Sequence, residues 1–147
     1  GNDGVNNSWL KSSNDLFPGL IWTTLYCEQY YNGYRYDSDI QHCIPFVGYN
    51  DTDYPALVTA FQANFTQFKS DLRDVLNKPN LKFYTFNIQN GTGKTAINTA
   101  YENCASGDSN HTHDDYSDDM TTKDGTHWDA NSYEQMGKRI FDQDFYE

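Results

Sequence analysis

Apolar residues recur at three- and four-residue spacing between positions 55 and 76, and this period predicts a long amphipathic helix. The periodic positions are Leu57, Val58, Phe61, Phe65, Phe68, Leu72, Val75 and Leu76. Pro55 suits the first turn of a helix, because that turn does not need its backbone N–H. The Asn77-Lys78-Pro79 segment supplies the stop signal.

Two β-favouring runs flank this helix. The first is 19–27, bounded by Pro18-Gly19, and the second is 81–88. The first is expected to be a buried strand and the second a further strand. A long ordered loop is expected over 28–53, between the first strand and the helix. Strand, helix and strand in this order predict a right-handed βαβ unit and therefore a parallel sheet.

The rest of the chain is more polar. Residues 90–123 are expected to be mostly loop, with a short helix at 95–103. A final helix is expected over 131–141, with Asn131 and Glu134 forming a reciprocal N-terminal cap. The interpretation is one domain over 19–147, preceded by a polar segment over 1–18.

Composition narrows the possible partners. The chain has 147 residues, of which 37% are hydrophobic and 16% aromatic, so the core is expected to be rich in Tyr, Phe and Trp. The formal net charge of -11 argues against nucleic acid or an anionic membrane surface as a partner. No run approaches the roughly 18 apolar residues of a membrane span.

Glycosylation sequons and cysteines favour a secreted, extracellular glycoprotein. With no initiator Met and no signal-like leader, the chain is interpreted as a mature or trimmed product. Three cysteines predict one disulfide and one remaining thiol, and a Cys27–Cys43 bridge is the preferred pairing over those with Cys104. The sequons are Asn6, Asn50, Asn64, Asn90 and Asn110, and Asn64 falls within the predicted long helix.

The segment Asp124-Gly125-Thr126-His127 carries the strongest chemical signal. Asp-Gly favours a turn, so the acid and the imidazole are expected in a loop. A carboxylate that binds one imidazole nitrogen fixes the tautomer and leaves the other nitrogen to accept a proton. This arrangement is two thirds of a hydrolase triad, and the alternative is a surface histidine beside an ordinary turn.

Three further segments are weaker candidates. The acidic stretch 108–119 could bind calcium through its carboxylates or a transition metal through His111 and His113, but a solvated loop is preferred. Ser109 lies in Gly107-Asp108-Ser109-Asn110 without a preceding strand, which disfavours it as a nucleophile. The tyrosine-rich stretch 26–36 either stacks on sugar rings or packs onto the domain, and packing onto the domain is the preferred interpretation.

The order of these elements resembles the C-terminal part of an SGNH-type carbohydrate esterase, closest to the sialate O-acetylesterase-like group. The resemblance implies a three-layer α/β/α fold of flavodoxin-like type with a parallel sheet. It also implies removal of acetyl groups from sugar hydroxyls without a metal or organic cofactor, with His127 as base and Asp124 as its orienting partner. It covers about residues 19–142 and is carried by the strands and helices above, by Asp124-Gly-Thr-His127, and by Tyr133, Met136 and Gly137.

The nucleophile of such an enzyme is not evident in this chain. The family's N-terminal strand with its serine has no counterpart before residue 19. Its Gln-Gly-Glu block is not recognisable either, since Cys27-Glu28-Gln29 stands near that place with the wrong spacing. The expectation is therefore an esterase completed by a second polypeptide chain or by a longer protein, acting on a glycan substrate. The alternative is a non-catalytic glycan-binding or structural glycoprotein subunit of an extracellular assembly.

Overall fold

A three-stranded parallel sheet lies between two layers of helices in the computed structural model, which describes residues 9–11, 16–33, 39–115, 117–125 and 127–144. The strand order is β1-β2-β3, and both neighbouring pairs are parallel. This confirms the predicted α/β class with a parallel sheet. The elements are α1 (Leu16–Gly33), β1 (His42–Cys43), α2 (Pro55–Leu76), β2 (Lys82–Phe86), α3 (Lys94–Ser106), β3 (His111–Asp114) and α4 (Ala130–Asp144).

Helix α2 has the predicted bounds and contributes more buried residues than any other element to the core on one side of the sheet. It begins at Pro55 and ends at Leu76. Asn77 caps it in the left-handed conformation at φ 53° and donates its N–H to the carbonyls of Arg73 and Asp74. Its apolar stripe includes Phe61 and Phe65, whose rings are fully buried. Burying each such ring contributes roughly 1.5–3 kcal/mol, so this face fixes the helix on the sheet.

The core of the described residues consists of two hydrophobic clusters, one on each face of the sheet. Strand β2 contributes to both, because successive side chains of a strand point to opposite faces. Phe83 packs with the α2 and α3 residues on one face. Tyr84 and Phe86 pack with Met136 of α4 and with Trp128 on the other face. Helices on both faces of a parallel sheet make the predicted three-layer arrangement.

The first predicted strand is wrong, because 19–27 lies within helix α1. Apolar and aromatic residues occur on all sides of this helix, so its period is hidden in the sequence. Its inner face shows helical spacing all the same: Phe17 is buried, and Leu20, Ile21, Thr24 and Glu28 are half-buried. The predicted loop over 28–53 is correspondingly interrupted by the end of α1 and by β1, while 34–38 lies outside the described residues.

The outer face of α1 carries a ladder of exposed aromatic rings. Trp22 and Tyr26 stack with ring centroids 5.3 Å apart, and Tyr26 and Tyr30 stack at 6.2 Å. The preferred interpretation, in which the tyrosines pack onto the domain, is wrong for these rings, since Tyr26, Tyr30 and Tyr31 are about half exposed. Tyr34 and Tyr36 lie outside the described residues.

Two details toward the C-terminus also differ from prediction. The expected loop over 90–123 contains strand β3, which pairs with β2 from Phe83↔His111 to Phe86↔Asp114. The expected cap at Asn131 and Glu134 is wrong because α4 starts at Ala130 and both residues lie inside it. Asp129 caps the helix instead, with Oδ1 accepting the Ser132 N–H at 2.8 Å. The short helix expected at 95–103 is confirmed as part of α3.

The predicted disulfide is not formed, and Cys27, Cys43 and Cys104 are all free thiols. Cys27 is exposed on α1, Cys43 lies in β1, and Cys104 is buried in α3. Burial raises the pKa of the Cys43 thiol to about 12, so this sulfur stays protonated. No helix among the described residues is long and apolar enough to span a membrane.

Candidate active site

Asp124 and His127 form a close pair in the loop before α4. The Asp124 Oδ2 lies 2.8 Å from His127 Nδ1, and its Oδ1 accepts the His127 backbone N–H, also at 2.8 Å. The carboxylate therefore requires a proton on Nδ1, which makes Nε2 the basic nitrogen. Within the described residues no hydrogen bond reaches Nε2, and the His127 side chain is 71% exposed.

The loop that holds this pair is closed at its base. Thr122 and Trp128 form an antiparallel bridge, and the Lys123 N–H donates to the His127 carbonyl at 2.7 Å. Gly125 has φ +84°, a conformation that a residue without Cβ adopts at little cost. The Asp-Gly turn thus places the carboxylate and the imidazole on the same side of a short loop, as the sequence predicts.

A second loop faces the first from the carboxyl end of β1. It turns at Gly48, where φ is +101° and an added Cβ would lie 2.8 Å from the Ile88 side chain. The Asp51 N–H donates to the Gly48 carbonyl at 3.1 Å, and the Asp51 side chain is fully buried. The buried Asp51 therefore anchors the turn to the domain, and Asn50 lies on its exposed side.

These two loops enclose a cavity of about 230 Å³ lined by Phe46, Tyr49, Asn50, His127, Trp128 and Tyr133. Three of the lining rings contact one another: Phe46 and Trp128 centroids are 5.7 Å apart, and Trp128 and Tyr133 centroids are 5.5 Å apart. Trp128 is anchored by donating its Nε1–H to Gln89 Oε1 at 3.2 Å. The cavity lies beyond the carboxyl ends of the strands, where open parallel sheets usually bind ligands.

Asn50 is a site residue that the sequence identifies only as a glycosylation acceptor. A side-chain amide that shares a cavity with a basic imidazole can donate a hydrogen bond to a developing oxyanion. The signal that would have found it is the Gly48-Tyr49-Asn50-Asp51 turn directly after an apolar run. Cys27-Glu28-Gln29 lies in α1, where Glu28 pairs with Lys78 at 3.1 Å, so these residues do not line the cavity.

None of the serines within the described part of the chain lines this cavity. Ser117 and Ser132 are buried and donate to the backbone carbonyls of Asn87 and Thr121. Ser109 lies two residues before the start of β3 and therefore at the amino end of the sheet, opposite His127. This position excludes Ser109 as the partner of the His127 base.

Asp108, next to Ser109, belongs to a partly buried ionic cluster. Lys69 Nζ and Arg73 Nη1 each approach Asp108 Oδ2 at 2.8 Å. Burial alone would raise the pKa of Asp108, but hydrogen bonds from Arg73 and Lys69 outweigh it and hold that pKa well below the usual range. Lys69 Nζ also donates to His111 Nδ1 at 3.0 Å, so that nitrogen carries no proton.

The two histidines of β3 are joined through Thr85. His111 Nε2 and His113 Nδ1 lie 2.8 and 2.9 Å from Thr85 Oγ1. Burial lowers the pKa of His113, and burial together with the nearby Lys69 charge lowers that of His111 to about 4. The stretch 108–119, expected to be a solvated loop, thus contains strand β3 with the buried His111. In the described part of the chain no three His, Cys, Asp or Glu side chains are placed to hold a metal ion.

The sequons occupy different environments. Asn50 is exposed at the cavity, Asn64 is half-buried on α2, and Asn90 and Asn110 are half-buried in loops. Asn6 lies outside the described residues. Attachment of a glycan at Asn50 would compete with any ligand of the cavity.

Comparison with known protein families identifies the family to which this chain is similar. The family of carbohydrate esterases described as sialic acid-specific acetylesterases has a sequence profile that matches residues 8–145. No curated protein matches the chain significantly.

Proposed function

The chain belongs to the sialic acid-specific acetylesterase family of carbohydrate esterases, and on that premise we propose that it supplies the base and its orienting acid for deacetylation of a glycan. The observation that carries the proposal is the Asp124–His127 pair at the mouth of an aromatic cavity, with His127 Nε2 accessible. A carbohydrate deacetylase requires such a base close to the ester.

In the proposed reaction, His127 Nε2 takes the proton from a serine hydroxyl as the serine oxygen attacks the acetyl carbonyl. The carbonyl π bond opens to an oxyanion, which Asn50 stabilises by donating its amide N–H. When the intermediate collapses, the C–O bond to the sugar breaks and His127 returns the proton to the sugar oxygen. Water then cleaves the acyl-enzyme with His127 again as base, releasing acetate and the free serine.

The serine of this reaction comes from a part of the enzyme other than the described residues. A second polypeptide chain, or further residues of a longer protein, would bring it to within hydrogen-bond reach of Nε2, about 2.6–3.2 Å. The enzyme is proposed to be a secreted glycoprotein, supported by the five sequons and the acidic charge.

Fluorophosphonate labelling of the native protein tests the proposal, because these reagents react with serines that a histidine activates. The expected result is one labelled serine, with labelling and acetate release both abolished in His127→Ala and both retained in Lys123→Ala. Lys123 is exposed beside the same loop, so this control keeps the local backbone.

If the native protein binds O-acetylated glycans but is not labelled and releases no acetate, the esterase proposal is refuted. That outcome would support the second candidate, a non-catalytic glycan-binding subunit. The aromatic cavity walls favour this candidate over a purely structural role, because aromatic faces pack on the apolar faces of sugars.

A further inference from the structure

Gln89 lies just beyond the end of strand β2 and uses its whole side-chain amide to bind the loop before α4, which carries the proposed base. Its Nε2 donates to the carbonyl of Ser117 and, at 3.1 Å, to the carbonyl of Met120. Its Oε1 accepts the Trp128 Nε1–H at 3.2 Å. Since Met120 lies before the base in the chain and Trp128 lies after it, one amide holds both ends of the loop.

The partners of this amide fix its orientation. Two carbonyl oxygens face Nε2 and an indole N–H faces Oε1, so a flipped amide would place acceptor against acceptor and donor against donor. Gln89 is half-buried, and Trp128 is 6% exposed. Loss of the amide would leave the indole N–H without its partner in a place that water reaches poorly, which costs free energy.

Trp128 transmits this anchoring to the base. It directly follows His127 in the chain, and it bridges to Thr122 at the base of the loop. Its ring also contacts Phe46 and Tyr133 in the wall of the cavity. A shift of the indole would therefore move the backbone that carries the imidazole and change the shape of the cavity.

Other hydrogen bonds near the base of the loop are local. The Thr121 N–H donates to Ser132 Oγ at 3.0 Å, and the Asp129 N–H donates to the Thr121 carbonyl at 3.2 Å. These bonds join the loop to the start of α4 and do not connect it to the sheet. Gln89 supplies such a connection, from the carboxyl end of the central strand.

The backbone of Gln89 contacts two further elements. A backbone hydrogen bond from Gln89 reaches the Tyr49 hydroxyl, in the turn that carries Asn50. The Gln89 carbonyl accepts a hydrogen bond from Lys94 Nζ at 2.8 Å, at the start of α3. Gln89 therefore lies where strand β2, the Asn50 turn and the loop before α4 meet.

We propose that Gln89 is a positioning residue of the deacetylation reaction, whose amide ties the loop before α4 to the sheet and so fixes the His127 imidazole relative to Asn50 and the ester. This inference rests on the proposed function and adds a residue that acts through Trp128. Misplacement of a catalytic group by about 1 Å can lower a rate by about 10²-fold. The effect of Gln89 is therefore expected in kcat more than in KM.

Gln89→Met tests the proposal, because methionine is an unbranched side chain that fills the space without an amide. In the native enzyme, kcat for acetate release is expected to fall by about 10²-fold, while KM changes by less than about threefold. Gln67→Met is the matched control and should retain full activity. Gln67 is exposed on α2, where its amide donates to Asp71 at 2.9 Å.

Val75→Ala controls for a general loss of stability. Val75 packs against the hydrophobic cluster on the face of the sheet opposite Trp128. This variant is expected to lower the midpoint of chemical denaturation and to keep kcat at temperatures where the protein is folded. If Val75→Ala lost as much kcat as Gln89→Met, the loss would reflect stability alone and the positioning role would be overturned.

A double-mutant cycle with Asp124→Asn shows whether Gln89 acts through the base. Because Asp124→Asn already leaves His127 in the wrong tautomer, adding Gln89→Met should cost less than about tenfold more in kcat. An equal loss in both backgrounds would contradict the proposal. Nitrogen-15 NMR gives a further signature: the Trp128 indole N–H should exchange with solvent faster in Gln89→Met than in the natural protein.

The possible results separate this inference from the proposed function. If Gln89→Met keeps full kcat, the positioning role is overturned while the esterase proposal stands. If the natural enzyme releases no acetate from O-acetylated sugars, the proposed function fails and this inference fails with it.

Discussion

Asp124 holds His127 at two points, with one carboxylate oxygen 2.8 Å from the imidazole Nδ1 and the other 2.8 Å from the backbone nitrogen. The backbone bond fixes the position of the residue, and the imidazole bond fixes its tautomer. Both partners are partly exposed, at 49% and 71% for the side chains. The pair therefore contributes little to stability, and its value lies in orienting a base.

Asp124→Asn is expected to lower kcat for acetate release by about 10³–10⁴-fold, with a smaller effect on KM. An asparagine amide can present its N–H₂ to Nδ1, which stabilises the wrong imidazole tautomer. The measurement is steady-state kinetics of the native enzyme on an O-acetylated sugar. Asp39→Asn removes an equal charge at an exposed position in a Lys78 pair and should retain full activity. Equal activities of the two variants would contradict the orienting role.

The proximity of Asp124 and His127 could be predicted because it is local in the sequence. An Asp-Gly turn needs no information about the rest of the fold to place residues 124 and 127 together. Asn50 reaches the same cavity only because β1 ends beside the loop before α4. That relationship depends on strand order and register, so the sequence revealed the asparagine only as a sequon.

Asn50→Ala is expected to lower kcat by about 10²–10³-fold, the usual loss when one oxyanion donor is removed. The global fold should be unchanged, because the side chain is exposed and the turn is held by Gly48 and Asp51. Asn80→Ala, another exposed loop asparagine, is the control. Activity that survives in Asn50→Ala would remove Asn50 from the proposed mechanism, and loss in Asn80→Ala would point to a general effect on folding.

Asn50 is also expected to stay unglycosylated in active protein, although it satisfies the sequon rule. A glycan on its amide nitrogen would remove the donor and fill a cavity of about 230 Å³. Peptide mapping of the secreted protein, after enzymatic deglycosylation in ¹⁸O water, measures occupancy at each sequon. An active preparation in which Asn50 is fully occupied would contradict both the proposed donor role and the assignment of the cavity.

Gly48→Ala is expected to destabilise the protein by about 2 kcal/mol and to reduce activity in the fraction that remains folded. The new methyl group would lie 2.8 Å from Ile88 and 3.3 Å from both Ile97 and Phe61, at a backbone φ of +101°. Chemical denaturation gives the free energy of unfolding. Gly137→Ala is the control, since nothing lies within 4 Å of its added Cβ and alanine favours a helix. Similar stability of the Gly48 variant and the natural protein would show that the turn relaxes readily.

The sequence predicts correctly those elements whose apolar residues are the ones that become buried in the fold. Helix α2 has one apolar stripe and recognisable end signals, so its bounds follow from Pro55 and Asn77. Helix α1 was missed because its exposed side is also aromatic. Strand β3 was missed because His111 and Asp114 are poor strand residues, and pairing with β2 decides their conformation.

The buried His111 makes stability depend on pH. Its folded-state pKa is about 4, below the value of about 6.5 expected for an unfolded histidine. Between these values the unfolded chain binds the extra proton and the folded chain does not. The free energy of unfolding should therefore fall as the pH drops from about 6.5 to about 4, by about 3 kcal/mol in total. Below that window, protonation of Asp108 would add a further loss, because its pKa is also lowered in the folded protein.

Urea denaturation at several pH values between 7 and 4.5 measures how steeply the free energy of unfolding changes with pH. The His111→Gln variant shows how much of this slope comes from His111. Glutamine can still accept a hydrogen bond from Lys69 and donate one to Thr85, but it does not titrate. The variant should lose most of the slope between pH 6.5 and 4.5, even if it is less stable at pH 7. The remaining slope should come mainly from His113, whose pKa burial also lowers. An unchanged slope in His111→Gln would show that His111 does not control the acid sensitivity of the fold.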